Sequence, residues 1–173
     1  MGIGLGTTAG VVAALFHIIS HGAMKSLLFI SISGLTEVSD GRSDYLSLRG
    51  AGLRNKVAGA AFTVGSLSMI GMPLLTGFVS KYLFAAAATT AGSKMITAWV
   101  VLAISTVLNT MYFMRTVLTL YSPVPEETHK AYTVEKSRIE TAAIIGMILL
   151  NIGLGVASQP VIKVIEAGLA MFG

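Results

Sequence analysis

Residues 15–29 read LFHIISHGAMKSLLF, an apolar run that carries two histidines and a lysine. His17, His21 and Lys25 recur every four residues, so on an α-helix they form one stripe that drifts by about 80° over a rise of about 12 Å. The run lies inside an apolar stretch, residues 3–35, that exceeds the roughly 17–25 residues of a bilayer crossing. An ionisable group at mid-membrane costs at least about 2.5–3.5 kcal/mol. The stripe therefore predicts a functional polar line inside a membrane helix.

The composition of the chain also indicates a membrane protein. Hydrophobic residues make up 54 % and charged residues 12 % of its 173 residues, whereas a soluble domain carries about 25 % charged residues. This charge is too little to cover a water-facing surface, which excludes an ordinary soluble enzyme. The net charge of +4 is scattered, with no basic patch interleaved with aromatics, so we expect lipid and not nucleic acid as a partner. The sequence holds no cysteine, which excludes disulfides and thiolate metal sites.

Five apolar stretches predict an all-α integral membrane fold, with residues 1–173 forming a single membrane domain. The stretches cover about residues 3–35, 57–72, 74–91, 95–121 and 139–158. The second and third are short, and the Gly71-Met72-Pro73 tripeptide between them forms either a tight turn or a break in one discontinuous helix. Polar connections are predicted at residues 36–56 and 122–138. The residues after Pro160 predict a short amphipathic helix along the membrane interface.

Further polar residues lie in the later stretches. Lys81 is followed by nearly a full apolar half-helix, which predicts that its side chain faces the protein interior. Ser20, Asn109 and Arg115 are accessory candidates, although an arginine near a helix end also reaches the headgroups by snorkelling. Side chains four residues apart on a helix are too distant for a direct hydrogen bond, so water would have to bridge the two histidines. The histidine pair has no obvious third metal ligand, and we expect no metal, cofactor or catalytic centre in this chain.

Three motifs resemble those of the proton-conducting antiporter-like subunits. Residues 15–29 are similar to that family's LFHLxxHAxxKALLF helix, residues 71–81 (GMPLLTGFVSK) to its GxPxxxGFxSK segment, and residues 49–54 (RGAGLR) to its LGGLRK connection. The family includes the large membrane subunits of respiratory complex I, the A and D subunits of Mrp-type antiporters, and subunits of membrane-bound hydrogenases and sulfane reductases. The resemblance covers only the C-terminal third of a family member, whose roughly fourteen helices contain two inverted repeats.

The resemblance implies a role in ion translocation. It assigns His17, His21, Lys25 and Lys81 to a central hydrophilic axis that moves H⁺, or Na⁺ in exchange, within a multi-subunit complex. We expect an energy-transducing membrane, the prokaryotic cytoplasmic membrane, and a redox module on other subunits. The chain would be a split antiporter-like subunit, and a second antiporter-like chain would supply the missing repeat. The alternatives are a non-conducting structural subunit, a quinone-site subunit, or one component of a stand-alone Na⁺/H⁺ antiporter.

Overall fold

The computed structural model describes residues 1–123 and 138–171, and these residues form helices joined by turns, with no strand among them. This confirms the all-α prediction. The helices are α1 (Thr8–Glu37), α2 (Ala51–Arg54), α3 (Lys56–Ile70), α4 (Thr76–Thr89), α5 (Met95–Tyr121), α6 (Arg138–Val156) and α7 (Gln159–Ala170). Two short 3₁₀ turns, Ile3–Leu5 and Gly92–Lys94, precede α1 and α5.

Helix α1 is the central element of the fold. The Thr7 side chain begins it by accepting a hydrogen bond of 3.1 Å from the backbone N–H of Gly10. Its 30 residues correspond to a length of about 45 Å. The helix packs against α3, α4, α6 and α7, and Phe16, Leu27 and Leu35 are fully buried in these contacts. The packing on several sides accounts for the nearly uniform apolar character of the helix.

Helices α3 and α4 follow α1 one after the other in the opposite direction. The contacts run from Gly34 against Ala58, through Leu28 against Gly65, to the hydrogen bond between Ser20 and Thr76. Helix α3 has 15 residues and α4 has 14, so each is shorter than a bilayer crossing. Together they match the length of α1, which favours one discontinuous helix over a tight turn between two separate spans.

The break between the two helices is set by Gly71. Its φ of 98° is a left-handed conformation that glycine adopts without steric cost. The N–H of Gly71 bonds to the Leu67 and Ser68 carbonyls, and the N–H of Met72 bonds to the Leu67 carbonyl at 2.9 Å, which is a Schellman ending. Pro73 then lacks the N–H that a continuing helix would need. The chain therefore leaves the helix at residue 71 and re-enters it at Thr76.

A second contact holds the two half-helices together from the side. Gly77 lies so close to the backbone carbonyl of Ser68 that a Cβ there would overlap it. The Ser68 hydroxyl accepts the N–H of Gly77 at 3.2 Å and donates to Oδ1 of Asn151 on α6 at 2.7 Å. Because Asn151 is fully buried, α6 anchors the break from within the bundle.

The predicted count of about five spans is not confirmed. Among the described residues, three helices are long and apolar enough to cross a membrane: α1, α5 with its preceding 3₁₀ turn, and α6. The predicted spans 57–72 and 74–91 correspond to the two short helices α3 and α4. The helix predicted after Pro160 is present as α7, with that proline in its first turn, and it buries Ile162 against Val12 and Phe16 of α1. Its place at the membrane interface stays a prediction.

The first polar connection folds back onto the end of the helix bundle. Arg54 organises it by donating from Nη2 to the Ser39 hydroxyl at 3.2 Å and to the Ser47 carbonyl at 3.1 Å. Within this loop, hydrogen bonds from the Ser47 hydroxyl and backbone N–H, together with the nearby Arg42, lower the pKa of Asp44. Leu48 is buried against the helices. The second predicted connection, residues 122–138, falls mostly on residues 124–137, which lie outside the described residues.

Candidate functional site

A cavity of about 460 Å³ opens where α1, α3, α4 and α5 meet beside the helix break. We call it the histidine cavity. Its polar lining consists of His17 and His21 from α1, Ser80 and Lys81 from α4, and Ser105 and Asn109 from α5. Three of the four residues that the sequence assigns to the ion path therefore lie around one cavity.

The amino group of Lys81 is held at the break by two oxygen atoms. Nζ donates to the backbone carbonyl of Ile70 at 2.6 Å and to Oγ1 of Thr106 at 2.9 Å. Ile70 is the last residue of α3, where carbonyls lack a partner within the helix and the helix dipole is negative. A cation at this position is stabilised by both effects. A Cβ on Gly71 would lie 2.9 Å from Cδ of Lys81, so the glycine also leaves room for the lysine chain.

His17 is oriented by the residue next to Lys81. Its Nδ1 forms a hydrogen bond of 2.7 Å with the hydroxyl of Ser80. The ring centroid lies 5.3 Å from that of His21 and 5.3 Å from that of Phe84. The bond to Ser80 occupies Nδ1 and leaves Nε2 for exchange with another group.

Lys25 lines a different cavity. This second cavity, of about 320 Å³, lies between α1, α3, α5 and the first polar loop. Its polar lining includes Tyr45, Tyr112 and Thr116, and we call it the tyrosine cleft. The Tyr45 hydroxyl lies 3.3 Å from Oγ1 of Thr116, which ties the loop to α5. Within residues 1–123 and 138–171, Lys25 forms no ion pair.

The three accessory candidates have different surroundings. Asn109 lines the histidine cavity. Ser20 is buried and accepts a hydrogen bond of 2.9 Å from Thr76, so it ties α1 to the start of α4. Arg115 is exposed, and its guanidinium carbon lies 5.0 Å from the ring centroid of Tyr45. Only Asn109 shares a cavity with the two histidines.

The match with known proteins covers the part of the chain that holds this cavity. The family described as "NADH:quinone oxidoreductase/Mrp antiporter, TM" matches residues 1–110, which contain α1 to α4, the break and most of α5. The chain belongs to this family.

Individual relatives of this antiporter family cover different shares of the chain. NADH-quinone oxidoreductase subunit N 2 of Sorangium cellulosum is 30 % identical over 122 residues, which are 70 % of this chain and 24 % of the relative. NADH-quinone oxidoreductase subunit N of Halorhodospira halophila is 29 % identical over 175 residues, 99 % of this chain and 36 % of the relative. A probable K(+)/H(+) antiporter subunit of Rhizobium meliloti is 36 % identical over 86 residues, 50 % of this chain and 8 % of the relative. The chain thus spans about a quarter to a third of the two NADH-quinone oxidoreductase subunits.

Three polar residues that hold the site of this antiporter-family chain are absent from the predicted ion path: Ser80, Thr106 and Asn151. Ser80 precedes Lys81, and Thr106 lies three residues before Asn109, one helical turn away on the same side of α5. Asn151 is a single amide in the apolar stretch 139–158. A polar residue in such a stretch is itself a signal, because it needs a partner inside the membrane.

Proposed function

We propose that this chain forms part of a proton path through the membrane, made by His17, His21, Lys25 and Lys81. The observation that carries the proposal is the histidine cavity, in which two imidazoles and the Lys81 amino group surround one space beside the helix break. Ionisable groups inside a membrane bundle are costly and mark ion pathways or proton relays. The break supplies free backbone carbonyls at the same depth, as in the discontinuous helices of transporters.

The chemistry of the path is proton exchange between neighbouring nitrogen atoms through water. An imidazole suits this exchange because its ordinary pKa lies near 6.5 and either ring nitrogen takes or gives a proton. The hydrogen bond between the Ser80 hydroxyl and Nδ1 of His17 leaves Nε2 as the exchanging atom. The centroid distance of 5.3 Å between His17 and His21 exceeds hydrogen-bond length and allows a bridging water.

The path continues from His21 to Lys25, one turn further along α1. This step of four residues corresponds to a rise of about 6 Å and leads from the histidine cavity to the tyrosine cleft. Hydroxyl groups of Tyr45, Tyr112 and Thr116 line that cleft. Each hydroxyl both donates and accepts hydrogen bonds, so these groups extend the path toward the first polar loop.

The chain acts within a larger ion-translocating complex. Relatives of the chain are named as subunits, and they extend well beyond the region matched here. We therefore propose that a second antiporter-like segment, on this or another polypeptide, packs near Lys25 and supplies an acidic or lysine counterpart. Such a partner would shield a charge that otherwise faces lipid at a cost of several kcal/mol. The proposed location is an energy-transducing membrane, the cytoplasmic membrane of a prokaryote, with H⁺ as the transported ion.

The test is proton transport by the assembled complex in liposomes with a pH-sensitive dye inside. Lys81→Met keeps the length of the side chain and removes the amino group, and we expect at least a tenfold loss of the transport rate. The matched control is Lys163→Met, because Lys163 is exposed on α7. Equal rates for both variants in assembled complexes would contradict the proposal.

A structural, non-conducting role is the second candidate, and the two oxygen atoms that bind Lys81 favour it. A lysine with fixed acceptors also serves to tie α4 to α3 and α5. In that case Lys81→Met would reduce the amount of assembled complex and leave the rate per complex unchanged. A Na⁺/H⁺ exchanger would instead show proton movement that requires a Na⁺ gradient, which the same liposomes can test.

A further inference from the structure

The two oxygen atoms that bind Lys81 can only accept a hydrogen bond from it, and neither can donate one to it. The Ile70 carbonyl is an acceptor only. Oγ1 of Thr106 donates its own hydrogen to the Leu102 carbonyl at 2.8 Å, so toward Lys81, at 2.9 Å, it accepts. Two N–H groups of Lys81 are thereby directed at α3 and α5. The third tetrahedral position on Nζ is not taken by either oxygen, and Lys81 lines the histidine cavity.

We propose that Thr106 is a positioning residue which, with the Ile70 carbonyl, makes Lys81 exchange its proton only toward the histidine cavity. The inference rests on the proposed function of Lys81. A protonated amino group has three N–H bonds, and a neutral one has two N–H bonds and a lone pair. Both forms satisfy the same two acceptors, so neither hydrogen bond breaks when the charge changes.

The exchange step involves one bond. The Nζ–H bond at the third position breaks, its electron pair stays on Nζ as the lone pair, and the proton passes to a water molecule in the cavity and on to an imidazole nitrogen. The reverse step restores the ammonium group. Because the two other positions are occupied by acceptors, a proton neither arrives from nor leaves toward α3 or α5. The fixed pair of oxygens thus gives the proton transfer a direction.

The titratable groups that line the cavity with Lys81 are two histidines of α1 and the amino group of Met1. Helix α1 contributes His17 and His21, whereas α5 contributes the neutral Ser105 and Asn109 to the lining among the described residues. A hydrogen bond to a charged donor is roughly twice as strong as one to a neutral donor. Loss of the Thr106 hydroxyl therefore destabilises the protonated form of Lys81 more than the neutral form. In a variant without this hydroxyl, the pH at which the transport rate declines on the alkaline side should be lower by about half to one pH unit.

The experiment compares Thr106→Val, Thr106→Ser and Thr110→Val in the assembled complex in liposomes, with initial proton transport measured across a pH series. Valine has the shape of threonine without the hydroxyl, and we expect a shifted profile and a several-fold lower rate at alkaline pH. Serine keeps the hydroxyl and should restore the original profile. Thr110 is the matched control, because it lies one turn further along α5 and its hydroxyl bonds to the Thr106 carbonyl at 2.8 Å.

An unshifted profile of Thr106→Val, or an equal shift with Thr110→Val, would overturn the positioning role. That result would not contradict the proposed function, which Lys81→Met tests separately by showing whether transport needs the amino group. If the valine variant does not assemble, Thr106→Cys replaces it, because a thiol is a weaker acceptor of similar size. The cysteine variant should then show a smaller shift in the same direction, and a profile like that of the unmodified protein would overturn the proposal.

Discussion

Replacement of Gly71 by alanine should both destabilise the chain and disable Lys81. Gly71 has a φ of 98°, and a Cβ at this residue would lie 2.9 Å from Cδ of Lys81. Alanine in the left-handed region costs about 1–2 kcal/mol. The contact with Lys81 adds to this, because the lysine chain must shift and its bonds to the Ile70 carbonyl and Thr106 then lengthen. We expect a total destabilisation of about 2 kcal/mol.

Gly153 offers a control at which alanine should have the opposite effect on stability. It lies within α6, has a negative φ, and a Cβ there would have no neighbour within 4 Å. Alanine in a helix is more favourable than glycine by about 0.5–1 kcal/mol. Gly153→Ala should therefore leave the complex equally or slightly more stable, with an unchanged transport rate.

The assay combines the apparent melting temperature of the purified complex with proton transport in liposomes. Gly71→Ala should lower the melting temperature and reduce transport several-fold per assembled complex. If both values match those of Gly153→Ala, then the break relaxes around the new methyl group. The conclusion that Gly71 determines the position of Lys81 would then be wrong.

Three further predictions concern the rest of the structure. Asn151→Leu leaves the Ser68 hydroxyl without its acceptor and should cost about 1–3 kcal/mol, measured as a lower melting temperature. Lys25→Met should leave the complex assembled and strongly reduce transport, and normal transport would contradict its place in the path. Asp44 has a lowered pKa, so its stabilisation of the loop is present above about pH 4 and lost as the pH falls through its folded pKa. Asp44→Asn should abolish the loss of amide-exchange protection at Ser47 that occurs as the pH falls below about 4.

The sequence predicted an all-helical fold and named His17, His21 and Lys81, which lie around one cavity. It did not predict Ser80 in that cavity, or how the stripe on α1 divides. Residues four apart on a helix are rotated by about 40° from one another, so the stripe has turned by about 80° between His17 and Lys25. The structure directs His17 toward Ser80 of α4, whereas Lys25 lines the tyrosine cleft near α5. The helical period predicts how far the stripe turns around α1. The boundary between the histidine cavity and the tyrosine cleft depends on where the neighbouring helices lie.

Contacts between distant residues explain the other differences. The tripeptide after α3 is compatible with a turn or a break, because both need Gly71 and Pro73. The choice between them depends on contacts such as that of Ser20 with Thr76, which are 56 residues apart. Likewise, the hydrogen bond from Ser68 to Asn151 joins residues that are 83 positions apart, and no local sequence pattern predicts it. These pairings follow from tertiary packing, which hydropathy and spacing do not encode.

The discontinuous helix also determines the topology of the chain. We expect α3 and α4 to form a single crossing, which puts the ends of α1, α5 and α6 that adjoin the first polar loop on the same side of the membrane. The Gly50 N–H accordingly bonds to the Thr119 carbonyl, and Gly34 lies near Glu140. The basic residues at this end are Arg42, Arg49, Arg54, Lys56 and Arg138. Lys94 lies at the opposite end, where its amino group donates to the Gly4 carbonyl, so basic residues are more numerous at the loop end. Two separate crossings in place of one would put Arg42 and Arg138 on opposite faces and remove this asymmetry.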